Sequence, residues 1–447
     1  MAVDNKLKAP RSHSRSIVKW IMQHWWLLLG VIIVLLGLAA FVLLVVIPKT
    51  TYDQLLDGRL KDADYWTDTP QILSAGLGFD GIIGLPALDE QAVRDAGGAW
   101  DADLKCSNGK TPEAKQRTSA APSNGIANGF KITPGMKIDH DDGLPIVFSW
   151  PVRTDTVDPA DFQFTLNTGR VVFPKAAGMI PNWELNERNV VVVFGQLGNR
   201  GRPGEPGAEY PVRLDIVSTT TPLTLVGPGG EKSAVGLSST TDKSPYAVGP
   251  TLVGAKLNRV DPTPQGEGGV NFIGQDTLPN DERALYGDEA KFRLRMLTTG
   301  GFSPDGIHGV RPNDFEKFFR LRAEGPDGKT VIMDKVGVNY QVMGGTLRIL
   351  GLSDLGKKED PAHGIVYDNC YNEDHDNYID VILTGDEAAA RHLTYLELPG
   401  LPGGYQAFYN PGGPGPNPFP GVRYTAPSPP LLQPVLIALD NPMRVSR

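Results

Sequence analysis

The 447-residue chain has only two cysteines, Cys106 and Cys370, so it can close at most one internal disulfide. It has seven histidines and neither an H-x-x-x-H nor a C-x-x-C spacing, which leaves transition-metal chemistry without a ligand set. There is no G-x-S-x-G elbow, no H-E-x-x-H helix and no Walker loop, so the familiar hydrolase, metalloprotease and nucleotide sites are missing. Past the first 50 residues no long helical period interrupts the chain, and no collagen repeat accounts for its 52 glycines and 38 prolines. They mark turns and loops instead. With 40% hydrophobic and 21% charged residues, the chain reads as ordinary folded protein with room for two or three domains.

One long apolar run is present. Trp25 to Ile47 is 23 residues without a charge, and roughly 20 suffice to span a bilayer. The run is too long for the apolar part of a signal peptide, and Pro48 and Lys49 follow it rather than a small-x-small cleavage site. Lys6, Lys8, Arg11, Arg15 and Lys19 precede it against the single acid Asp4, which places the N-terminus in the cytoplasm. Trp20, Trp25 and Trp26 suit the membrane interface. The expectation is an uncleaved single-pass anchor with a periplasmic or extracellular ectodomain. Residues 1–49 carry six bases and one acid while the whole chain is −8, so the remainder is −13. That acidity argues against a nucleic-acid partner. An oxidising compartment permits a Cys106–Cys370 bridge; the alternative is two unpaired buried thiols.

From about Leu144 the pattern turns to β. PIVFSWPV (145–152), FQFTLNTG (162–169), NVVVVFG (189–195) and YPVRLDIV (210–217) are short apolar or alternating runs between Pro, Gly and Asn clusters. They predict an antiparallel sandwich rather than a parallel α/β sheet. P-I-V-F-S-W-P-V, V-D-P-A-D-F, the later apolar strand and Y-P-V-R-L together resemble the bacterial Ig-like modules of extracellular proteins, over about 85 residues. The resemblance implies a β-sandwich that serves as a spacer or binding module and brings no catalytic residues.

The chain also resembles itself. V-x-P-x-D-F occurs at Val157–Phe162 and again at Val310–Phe315. Residues 190–198 resemble 347–356, and residues 209–219 resemble 377–387, in the same order. In the hexapeptide, proline fixes φ, the aspartate accepts from nearby backbone N–H groups, and the phenylalanine turns inward. It is read as a strand-entry corner. On this alignment the acidic stretch Asp368–Asp380 is a loop added to the second copy, where GNRGRPGEPGAE stands in the first.

Within that stretch Asn372, Asp374, Asp376 and Asp380 follow the oxygen-ligand spacing at positions 1, 3, 5 and 9 of a calcium loop. Asn377 and Leu383 break the EF-hand pattern at positions 6 and 12. A calcium loop of another type and a solvated polar loop both remain open. Asp139, Asp141 and Asp142 form a second candidate cation site beside the first sandwich strand, against the alternative of a plain polar turn. His308, in a Gly-rich loop, is read as a surface histidine. No cofactor other than calcium is suggested.

The expected architecture is mainly β: a single transmembrane helix followed by two tandem Ig-like antiparallel sandwiches. Its parts are a basic cytoplasmic tail (1–24), the span (25–47), a membrane-proximal segment (48–138), the first sandwich (139–228), a linker (229–250), the second sandwich with insertions (251–398) and a Pro/Gly-rich arm (399–447). VLIALD (435–440) is a late edge strand within that arm. The expected function is non-catalytic: scaffolding, adhesion, or binding of a protein or glycan in the bacterial cell envelope. The competing class is an envelope hydrolase acting on glycans through loop carboxylates of the second sandwich.

Overall fold

The computed structural model describes residues 24, 33, 34, 58–75, 82–126, 129–182, 184–199, 204–242, 251–260, 282–303, 307–353, 367–371, 377–400 and 430–447. The chain divides into two compact units, Met1–Asp53 and Gln54–Arg447. The expected span 25–47 lies outside the described residues except for Ile33 and Val34, which are helical. Among the described residues no helix is long and apolar enough to cross a membrane.

The second unit is mainly β. Its strands begin with β1 (Ala63–Asp64), β2 (Ile72–Ala75), β3 (Ile83–Leu85), β4 (Ala121–Pro122), β5 (Phe130–Ile132) and β6 (Asp142–Phe148). They continue with β7 (Phe162–Leu166), β8 (Val171–Val172), β9 (Ala176–Gly178), β10 (Val190–Gly195), β11 (Pro211–Ile216), β12 (Thr224–Gly227), β13 (Gly230–Ser233) and β14 (Ser238–Thr240). Next come β15 (Leu252–Arg259), β16 (Phe292–Thr298), β17 (Arg320–Glu324), β18 (Thr330–Met333), β19 (Asn339–Val342) and β20 (Gly345–Ser353). The last are β21 (Tyr378–Gly385), β22 (Leu393–Leu398), β23 (Leu431–Pro434), β24 (Leu436–Ile437) and β25 (Arg444–Val445).

Two sheet pairs enclose two cores. In the first, β2-β6-β10-β9-β5 faces β14-β11-β7-β8. Alternate residues Leu144, Ile146 and Phe148 of β6 meet Phe162, Phe164 and Leu214 from the other sheet. In the second, β19-β20-β21-β16-β15-β24 faces β18-β17-β22-β23. There Leu294, Met296 and Val381 meet Leu321, Leu393 and Leu396.

The two pairs share a wiring diagram. The neighbours β2-β6-β10-β9 recur as β15-β16-β21-β20, and β14-β11-β7-β8 recurs as β23-β22-β17-β18, in the same chain order. Every one of these neighbour pairs is antiparallel in both copies. The hexapeptide corners match as well. The N–H of Asp158 donates to Asp161 and the N–H of Arg311 donates to Asp314, both at 3.1 Å. Phe162 starts β7 at once, whereas Phe315 opens a helical turn, Phe315–Phe318, ahead of β17.

Several expected boundaries shift. By pairing, β10 corresponds to β21 rather than to residues 347–356, and β11 corresponds to β22 rather than to residues 377–387. Short apolar strands ending in Gly recur throughout a sandwich, so local likeness slipped by one strand. The acidic stretch therefore stands where residues 179–189 stand in the first copy, ahead of β10. Residues 48–138, expected to form a membrane-proximal segment apart from the sandwiches, supply β2 and β5 to the first sandwich. Residues 229–242, read as linker, hold β13, the second strand of the β12–β13 hairpin, and the edge strand β14. The C-terminal arm supplies β23 and β24 to the second sandwich, and β24 runs parallel to β15.

Candidate functional site

The centre of the six-stranded sheet, β16 and β21 with most of β15, is buried on both faces, which is the main departure from a simple sandwich. On β16, Phe292, Leu294 and Met296 enter the core while Arg293 and Arg295 point the other way, and all five are buried. On β15 the outward residues are Gly254, Lys256 and Asn258; on β21 they are Tyr378, Asp380 and Ile382. This outer face packs against β1, β25 and the loop before β10. Lys256 Nζ lies 2.5 Å from Asp64, and Arg295, Arg444 and Arg293 approach the same carboxylate at 3.3, 3.5 and 3.8 Å. Asp380 takes Arg295 in a two-pronged pair at 2.9 and 2.8 Å, and Glu187 lies 3.3 Å from Arg295. Three acids thus interleave with four bases.

Aromatic rings close the layer. Trp66 lies under Lys256 at 5.0 Å and Tyr378 under Arg295 at 5.1 Å. The Tyr378 hydroxyl donates to Asn189 of the first sandwich at 3.0 Å. Gly254 makes room for Trp66, since a Cβ there would sit 2.7 Å from the ring. Burial alone disfavours the charge on Asp64, but Lys256, Arg444, Arg295 and Arg293 overcome it and hold its carboxyl below the usual range. Burial pushes Lys256 down to about 8 despite Asp64. The layer excludes solvent, so it joins the two sandwiches and offers no substrate access.

The residues expected to bind cations have the following places. Asn372, Asp374 and Asp376 lie outside the described residues. Asp380, expected as the ninth-position ligand of a calcium loop, is buried in its strand and paired with Arg295. The reason is that its strand has no solvent face. Asp141 is buried, and both its carboxylate oxygens contact Lys175 Nζ, at 2.7 and 3.1 Å. Burial raises its carboxyl and Lys175 opposes the rise. Asp142 is buried within β6, and Asp139 is bonded to His140 Nδ1 at 2.7 Å. Among the described residues no group of three or more His, Cys, Asp or Glu is disposed to hold a metal ion.

Cys106 and Cys370 form a disulfide. It lies at the end of the second sandwich where three connections gather. Leu297 pairs with Tyr378, so the β16–β17 and β20–β21 connections meet there; Arg320 pairs with Glu397, which adds the β22–β23 connection. Arg311 donates to Asn369 at 2.5 Å. The segment around Cys106 is bound to this end. The Ser107 N–H donates to Asp368 at 2.6 Å and the Ser107 hydroxyl donates to the same carboxylate. Gln116 donates to the Cys370 carbonyl at 2.6 Å, and His308 Nε2 lies 3.1 Å from the Gln116 carbonyl. His308 is therefore an inter-loop tie, not a surface residue. Tyr367 and Tyr371 pack edge to face at 5.5 Å between ring centres.

Two acids at this end, Asp368 and Asp314, act as anchors. Burial works against the charge of Asp368, but Ser107, the Cys370 N–H and Arg311 hold its carboxyl below the usual range. A general acid needs the opposite shift. Asp314 accepts from the Arg311 N–H and pairs with Lys317 at 2.5 Å. No family model, no curated protein and no solved structure matches this chain. Sequence reasoning missed the charged layer. Its trace was alternation in F-R-L-R-M-L, which ordinarily marks a strand with one wet face.

Proposed function

We propose that this chain is a single-pass, membrane-anchored protein of the bacterial cell envelope with its N-terminus in the cytoplasm. The ectodomain holds two Ig-like sandwiches and has a structural or binding role toward a protein or glycan. Supporting the Ig-like reading, both copies follow the order A-B-E-D on one sheet and G-F-C on the other, with one further strand beside C. A disulfide suits an oxidising compartment. The observation that carries the binding role is the elaboration of one loop end of the second sandwich, cross-braced by Cys106–Cys370, while the conserved wiring lies behind it. In sandwich proteins such ends are where recognition is added.

The test is photo-cross-linking in intact membranes with a reactive side chain at Tyr371. A control chain carries it at Val171, an exposed residue on an edge strand of the first sandwich. A discrete adduct from Tyr371 alone supports the reading; equal labelling from both sites, or none, contradicts it.

A further inference from the structure

The last twelve residues cross from one sandwich to the other. Their first half belongs to the second sandwich. Ala438 N–H donates to the Leu257 carbonyl at 2.9 Å, and the Asn258 amide donates to the carbonyls of Ala438 and Pro442 at 3.2 and 3.0 Å. Arg391 grips Asp440 with two bonds at 2.7 and 2.6 Å. At Met443 the backbone turns through φ 52°, in the left-handed region, where a side chain is uncommon.

The second half belongs to the first sandwich and its approach. Tyr65 N–H donates to the Met443 carbonyl at 3.0 Å, β25 pairs with β1, and Leu60 and Arg447 exchange backbone bonds at 3.2 and 2.9 Å. Arg447 pairs with Glu231 of the β12–β13 hairpin. Between the halves, Lys256 Nζ donates to the Met443 carbonyl at 3.0 Å and Arg444 reaches Asp64.

We infer that residues 436–447 are a clasp that seats and unseats as a unit, so that its docking and the closure of the charged seam are one equilibrium. The argument is geometric. The segment makes strand contacts of only two residues on each side, β24 on β15 and β25 on β1. Beyond these pairings it is held by backbone bonds, by point contacts from side chains of both sandwiches, and by packing of Leu439 on the second core and Val445 on the first. Short pairings held by a few anchors open more readily than core strands. Opening would withdraw Arg444 from Asp64 and unpair β1, which lets water into the layer.

The test uses the full chain and hydrogen exchange read by mass spectrometry, with Asn258→Ala and Arg444→Gln. Asn258→Ala loosens only the half on the second sandwich. A clasp that moves as a unit then predicts at least tenfold faster exchange at residues 60–66 on the far side, with β10 and β21 unchanged. An added Ala63→Cys/Val445→Cys pair, oxidised across β1 and β25, should restore protection. Faster exchange confined to residues 436–442 would overturn the inference, because the halves would be independent. Equal loss of protection in β10 and β21 would also overturn it, because the segment would be part of the core rather than a separable clasp.

Discussion

Asp64 and Asp380 show what a buried charge requires. Each faces more than one cation in the seam, and neither has a water-facing side. Removing one acid strands a guanidinium in a desolvated place, which costs about 3–5 kcal/mol. Asp380→Ala should therefore lower unfolding free energy by about that amount in urea titration. The double change Asp380→Leu with Arg295→Met should recover much of it, since the stranded charge goes too. Asp161 behaves differently. It is buried at the strand-entry corner, where it accepts from the Asp158 N–H and the Thr219 hydroxyl. Burial raises its carboxyl to about 6, with Thr219 and the backbone opposing. The folded state thus holds the proton more tightly than the unfolded one. This contribution to stability is present below about pH 4 and is lost as pH rises through about 6. Its size is roughly 3 kcal/mol. Unfolding midpoints of Asp161→Asn should lose that pH dependence; an unchanged slope would refute the assignment.

Among the elements, the hexapeptide corner was legible because its physics is local. Proline, a backbone-accepting aspartate and an inward phenylalanine sit within six residues, and the structure repeats the Asp161 contact at Asp314. The strands β7, β10 and β11 were legible for the same reason: their alternation or unbroken apolar character matches their burial. The strand expected at 145–152 is there too, but as β6 it runs from Asp142 to Phe148 and is buried at every position. Partnering was not legible. Nothing local in residues 72–75 or 431–434 says which sheet they complete, and nothing in Arg293 and Arg295 says that a second sandwich covers them. The disulfide was open in the sequence because its partners are 264 residues apart, too far for any local pattern to join. Closing so long a loop restricts the unfolded chain by about 5 kcal/mol in the chain-entropy account. Reduction should therefore lower unfolding free energy by up to that amount, read by urea titration with and without reductant. A change well under 1 kcal/mol would mean that the loop end is not constrained by its bridge.

At the scale of the molecule, two claims separate. The first is a topological proposal, that the run from Trp25 to Ile47 anchors the chain with its bulk outside the cytoplasm. Alkaline carbonate should leave the protein in the membrane pellet, and protease added to the outer side should digest it while sparing residues 1–24. Release by carbonate would contradict the anchor. The second claim is that duplication produced two sandwiches that no longer behave as two. The larger sheet of the second sandwich meets β1, β25 and the loop before β10 through the charged layer, β1 pairs with β25, and a disulfide ties the segment around Cys106 to the far loop end. Tandem modules joined by a linker melt separately, whereas modules sharing a buried seam melt together. Calorimetric unfolding of residues 54–447 tests this most directly. The account predicts one transition whose calorimetric and van't Hoff enthalpies agree; two resolved transitions, one for each sandwich, would contradict it.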